Sequence, residues 1–235
     1  MRLDTLRRLN ALRAERRAAL LVTDLDGGAQ RLLTEADLAG DPLGLLLAER
    51  LRAGRGGTVE AGGRQLFVTV QAPPVRVIAV GAVHISQALA PMARDLDLDL
   101  VVVDPRTAFT TPERFPGVDL RPDWPDEALP ALGLDPYTAL LALTHDPKID
   151  DPALALGLRA PCFYVGALGS RRTHARRAER LAAQGFSEAD IARIHAPIGL
   201  SIGAVSPAEI ALSILAELVQ VLRQGSAHQR RSPTP

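Results

Sequence analysis

Cysteine is almost absent from this chain: Cys162 stands alone among 235 residues. That excludes an internal disulfide framework and any CxxC metal site. Net charge is also missing, with 27 Lys and Arg against 27 Asp and Glu. Nucleic-acid affinity rests on surplus cations, so a nucleic-acid partner is not expected. No apolar run approaches the roughly 18 residues of a membrane span. The Arg-rich start offers only Ala18 to Val22 as an apolar stretch, too short for the core of a signal peptide. Aromatics amount to 3%, which leaves few stacking platforms for bases or sugars. Lysine is reduced to Lys148, so nearly every positive charge is a planar guanidinium. Hydrophobics at 47% and charges at 23% are ordinary globular values. A cytoplasmic protein with a buried core is expected, in one large domain or two modest ones.

Pro73-Pro74 fits neither a helix nor a central strand and marks a domain boundary. Before it, residues 1–72 predict a small α+β domain. Leu3, Leu6, Leu9 and Leu12 recur at helical spacing. Strands over 18–24 and 30–34 flank the turn residues Asp26-Gly27-Gly28, and a second hairpin runs through 59–71. Between the hairpins, Asp41-Pro42 opens a predicted helix over 41–53.

Beyond the prolines the pattern changes to alternation. Strands are predicted over 75–80, 98–103, 139–144 and 162–165, with a short one near 118–120 inside a loop that runs to Pro130. Helices are predicted over 84–96, over 171–184, and from the Ser206-Pro207-Ala208-Glu209 capping box to about Arg223. Ser187 with Asp190 caps a shorter helix, and Asp151-Pro152 caps one that ends near Leu158. Repeated βαβ alternation predicts an α/β fold, a Rossmann-like doubly wound parallel sheet over 75–223. Residues 224–235 read as a disordered polar tail.

Ligands of such a sheet bind at the carboxyl ends of its strands. The first loop there, Gly81-Ala82-Val83-His84, occupies the place of a dinucleotide fingerprint but keeps only its first glycine. Asp104, 23 residues on, stands where a ribose-binding acid belongs. Two readings stay open: an NAD(P) or pterin-nucleotide site, or a sheet without a dinucleotide site. The second loop, Gly166-Ala167-Leu168-Gly169-Ser170-Arg171-Arg172, opens a helix whose first N–H groups suit an anion. Arg171 and Arg172 add charged donors and Ser170 is an N-cap or phosphate contact, while Arg176, Arg177 and Arg180 continue a solvated basic face. The third loop presents His145, Asp146 and Lys148 as positioning or acid–base groups, with no metal-ligand spacing. A fourth segment carries His195, which reads equally as ligand or structural histidine, and Gly199, where the backbone passes close to another backbone or a ligand. Cys162, in a buried strand, reads as inert core. No catalytic nucleophile stands out.

The stretches VIAVGAVHISQALAPMA, VVVDPRTAF with RFPGVDL, LALTHDPKIDDPAL, FYVGALGSRRTHARRAERL, and RIHAPIGLSIGA followed by SPAEIALSILAE span residues 75–222. In their order and spacing they resemble the xanthine dehydrogenase accessory protein family (XdhC/CoxI). The resemblance implies a non-catalytic maturation factor that binds molybdenum cofactor, a phosphorylated molybdopterin. It further implies delivery to a xanthine dehydrogenase-like molybdenum hydroxylase, terminal-sulfur exchange with a cysteine desulfurase, and a homodimer. On that view Gly81, Val83, His84, Asp104, Arg106, His145, Gly166, Gly169, Ser170, Arg171, Arg172 and Gly199 are the cofactor-binding candidates. Where this chain has Val83, members often carry glycine. Many members also carry GSxPRPxG-like and GGCxE-like segments, and residues 1–72 contain neither.

Overall fold

A computed structural model describes residues 2–224; the expected tail, from residue 225 on, lies outside the described residues. The chain divides into two compact units at Pro73/Pro74.

The first unit opens with helix α1 (Leu3–Ala14), whose Leu9 and Leu12 are buried while Leu3 and Leu6 of the same expected stripe are exposed. Strands β1 (Ala19–Asp24), β2 (Gln30–Thr34), β3 (Gly57–Ala61) and β4 (Arg64–Gln71) form an antiparallel sheet in the order β2-β1-β4-β3. Both expected hairpins are present, and β1 joins them by pairing with β4 from Ala19↔Gln71 to Asp24↔Leu66. Helix α2 (Gly44–Ala53) begins later than Asp41-Pro42 predicts. A 3-10 turn over Glu35–Gly40, held by a Thr34–Asp37 capping box, comes first. Asp41 therefore ends that turn, and its carboxylate accepts the Leu43 N–H at 2.8 Å. Leu20, Val22, Leu47, Val59 and Val68 close the core of this unit.

The second unit is the predicted Rossmann-like layer structure. Strands β5 (Arg76–Val80), β6 (Asp99–Val103), β7 (Asp119–Arg121), β8 (Thr138–Ala142), β9 (Tyr164–Ala167) and β10 (Ile194–His195) form one parallel sheet. Its order is β10-β9-β8-β5-β6-β7. Helices α3 (His84–Asp95) and α8 (Pro207–Gln224) cover one face, packing on Val77, Ala79, Ala139 and Leu141. Helices α4 (Pro125–Leu132) and α5 (Pro147–Arg159) cover the other, packing on Ile78, Val80, Val101 and Leu140. Helix α6 (Arg171–Ala183) and the short α7 (Glu188–Ile191) extend that second layer through Leu181 and Ile191. Alternate residues of β5 thus feed opposite layers, as a strand buried on both sides must.

Three expectations need correction here. The loop drawn to Pro130 contains α4, because Pro125 at its first position and Asp126 and Glu127 in its first turn outweigh the one hydrogen bond that Pro130 forfeits. The helix cap is Asp146 and not Asp151: Asp146 accepts the Lys148 N–H at 2.9 Å and Pro147 occupies the first turn. Cys162 is buried but precedes β9, which starts two residues later.

Candidate functional site

Counted from β5, the chain adds β6 and β7 on one side and β8, β9 and β10 on the other, so the order of strand addition reverses between β5 and β8. The crevice outside the carboxyl ends of those two strands is where such a sheet binds ligands. Gly81 ends β5 with φ +124°, and a Cβ there would stand 2.9 Å from Thr144 Cγ2. This glycine lets β5 turn against β8. Ser86 Oγ donates to the Gly81 carbonyl, so the fingerprint loop is tied to the first turn of α3. Val83 is half-buried against the α3/α8 core, and His84 at the start of α3 is exposed.

Asp104 ends β6 fully buried, and protein groups occupy its carboxylate. Arg106 grips it with two guanidinium bonds, at 2.9 and 2.7 Å, and with its backbone N–H at 2.9 Å, while the Ala82 N–H donates at 2.7 Å. Burial pushes the Asp104 carboxyl up, but these donors outweigh it and hold it below the usual range. The acid in the ribose position thus fixes two loops to each other.

The glycines further along serve packing. A Cβ on Gly166 would meet Ile198 at 2.6 Å, and one on Gly199 would stand 2.4 Å from Ser213 Oγ on α8. Gly169 has φ +134° and lies against Thr173. Ser170 caps α6, accepting the Thr173 N–H at 3.2 Å.

Unpaired charge collects one step away from the crevice, between α5 and α6. A cavity of about 200 Å³ is lined by His145, Pro147, Asp150, Asp151, Arg172, Thr173, Arg176, Arg177 and Arg180. Arg172 is part of it, whereas Arg171 is exposed and outside its lining. Arg177 does not belong to a solvated face: its side chain is only 3% exposed. It donates to the Leu168 carbonyl at 3.1 Å and stands 3.8 Å from Asp150, yet its Nε and Nη1 have no partner. Asp150 accepts from Thr144 N and Oγ1 and from His145 N, and at 3.8 Å it pairs with Arg177 by charge but makes no hydrogen bond to it. Burial pushes the Arg177 guanidinium down and the Asp150 carboxyl up, so neither charge is fully compensated. Each buried donor left unpaired costs about 1–3 kcal/mol. Arg180 instead clamps Asp151 at 2.5 and 3.0 Å. His145, with φ +64°, places its exposed ring at this cavity.

Two residues organise this half of the sheet, Arg177, which the sequence placed on a solvated face, and Glu217, which it did not single out. Arg177 lies four positions before Leu181, and both are buried, so an arginine on the core-facing stripe of α6 was the available signal. Glu217, on the inner side of α8, accepts from Tyr164 OH at 2.5 Å and Gly199 N at 2.9 Å and pairs with His195 Nδ1 at 3.0 Å. The His195 ring stacks on Tyr164 with centroids 4.4 Å apart, which gives the histidine a structural role.

Comparison with known proteins places the geometry in a family. The family model for the XdhC Rossmann domain matches residues 77–218. Protein YqeB of Escherichia coli K12 is 35% identical over 162 residues, covering 68% of this chain and 30% of that protein. A protein of Bacillus subtilis 168 named as a probable xanthine dehydrogenase component is 31% identical over 160 residues, 68% of this chain and 46% of that one. The molybdenum cofactor insertion chaperone PaoD of Escherichia coli K12 is 40% identical over 88 residues, 37% of this chain and 28% of that one. The chain therefore spans less than half the length of these curated relatives. A crystal structure described as a xanthine dehydrogenase from Bacillus halodurans shares the fold, with a TM-score of 0.68 at 24% identity, over 98% of this chain and 66% of that one.

Proposed function

The chain belongs to the XdhC family, and from that premise we propose that it binds molybdenum cofactor and inserts it into a xanthine dehydrogenase-type molybdenum hydroxylase in the cytoplasm. The name of the relative PaoD, a molybdenum cofactor insertion chaperone, supports this reading. The observation that carries it is the blocked dinucleotide position. Asp104 is spent on Arg106 and Ala82, and Val83 stands where a glycine would admit a pyrophosphate, so NAD(P) loses both of its usual holds. The residues present fit a phosphorylated pterin better. The strand-end loops offer exposed His84, His145 and Ser170 for the polar edge of a ring system, and the α5/α6 cavity offers buried unpaired donors for an anionic end.

When bound, the cofactor supplies the molybdenum centre that the target hydroxylase uses. This chain's part is to bind, orient and release it. In the same reading the cofactor is carried in its terminal-sulfur form, a cysteine desulfurase is the donor, and the working unit is a homodimer. Cys162 is not a candidate for sulfur transfer, because burial raises its thiol to about 11.

The test is purification from cells that make the cofactor, followed by oxidation and pterin fluorescence. Stoichiometric pterin is expected. Pterin-free protein that binds NAD or NADP with micromolar affinity would overturn the reading in favour of an oxidoreductase.

A further inference from the structure

We infer that the cavity between α5 and α6 is a binding site for a single phosphate group, with Arg177 as its buried donor and Arg172 and Arg176 as its outer clamp. The ligand's identity rests on the cofactor reading above; the site itself does not.

Three observations carry the inference independently. The first is the orphaned Arg177. Its Nε and Nη1 are buried donors with no partner, beside an Nη2 already held by the Leu168 carbonyl, and each can serve one oxygen of an anion. Its ion-pair partner Asp150 is 3.8 Å away and committed to Thr144 and His145. The second is the charge of the wall. Four guanidiniums line the cavity against two carboxylates, and Arg180 neutralises Asp151. Arg172 and Arg176 make no ion pair among the described residues. A cation in the first turn of a helix opposes its dipole, so Arg172 at the start of α6 is unfavourably placed until an anion sits beside it. The third is size. About 200 Å³ falls below the roughly 300–1,000 Å³ that encloses a whole drug-sized ligand. A phosphate group enters while the body of its ligand remains outside, toward the His145 loop and the β5/β8 crevice.

A carboxylate also pairs with a guanidinium but brings one charge and two oxygens to three available guanidiniums. A tetrahedral dianion uses all of them, and the proposal commits to phosphate.

The experiment titrates the full chain with inorganic phosphate, with acetate as the carboxylate arm, by calorimetry and 31P NMR. Saturable phosphate binding is expected, tighter than acetate by about tenfold or more. The pair Arg172→Ala/Arg176→Ala, both on the helix surface, should weaken it by roughly tenfold or more without altering the circular dichroism. Arg177→Met should weaken it at least as much; if that variant fails to fold, the surface pair still decides. Arg52→Ala, a surface arginine of the first unit, is the control and should bind as wild type does. Absent saturation, acetate binding as tightly as phosphate, or equal losses in the pair and the control would overturn the site. Pterin that co-purifies with a protein blind to phosphate removes this site and leaves the cofactor reading standing. Phosphate binding without pterin does the reverse.

Discussion

Glu217 is a half-buried carboxylate whose three partners lie on β9 and on the segment from His195 to Gly199, so its protonation state tests how α8 is joined to the sheet. Burial pushes its carboxyl up, but hydrogen bonds from His195 and Tyr164 prevail and hold it below its ordinary 4.5. A folded pKa below the unfolded one contributes stability that is complete above the unfolded value and is lost as pH falls through the folded value. Acid unfolding should therefore steepen below about pH 4.5. Glu217→Gln should flatten that slope while costing about 1–3 kcal/mol at neutral pH, read from urea midpoints across the pH range. An unchanged slope would show that the carboxylate is not linked to folding. Cys162 provides a second residue-scale check. With its thiol raised to about 11, it should react with a disulfide reagent at pH 8 only on unfolding; rapid labelling of native protein would contradict its burial.

Helix starts were legible from sequence where a full capping box marked them. Ser187 with Asp190 and Ser206 with Glu209 form the boxes that their spacing predicts. Two Asp-Pro pairs five residues apart defeated the same logic at α5, since local chemistry ranks Asp146-Pro147 and Asp151-Pro152 equally. Tertiary structure decides between them, because Arg180 of α6 claims Asp151. A substitution pair separates the roles. Asparagine caps as well as aspartate, so Asp146→Asn should be nearly neutral, whereas Asp151→Asn should cost about 1 kcal/mol by unpairing Arg180. Thermal melts in the opposite order would restore Asp151 as the cap. The proposed anion site follows the same rule. Glycines and arginines at the start of α6 pointed to its neighbourhood, and Gly166 and Gly199 lie close against Ile198 and Ser213. Which arginines face inward depends on the rotation of α6 against α5, which no local pattern encodes. Arg171 points away, while Arg177 is buried beside Asp150.

At the scale of the molecule, the equal charge totals conceal an uneven distribution. Arginines gather on α6, and an acidic stretch runs from Asp119 to Glu127. The division at Pro73/Pro74 predicts that a fragment starting at Pro74 keeps the six-stranded sheet, since its layers are closed by its own helices. Cooperative thermal unfolding of that fragment, with near-ultraviolet dichroism retained, is the expected result; a molten fragment would show that the first unit completes its core. The scarcity of lysine has a practical side as well. Lys148, exposed in the first turn of α5, directly follows Pro147 in the wall of the α5/α6 cavity. It is the only side-chain amine in the chain. An amine-directed dye applied where the α-amino group is blocked would attach at that one place, so a fluorescent reporter can be set at the rim of the α5/α6 cavity without any substitution.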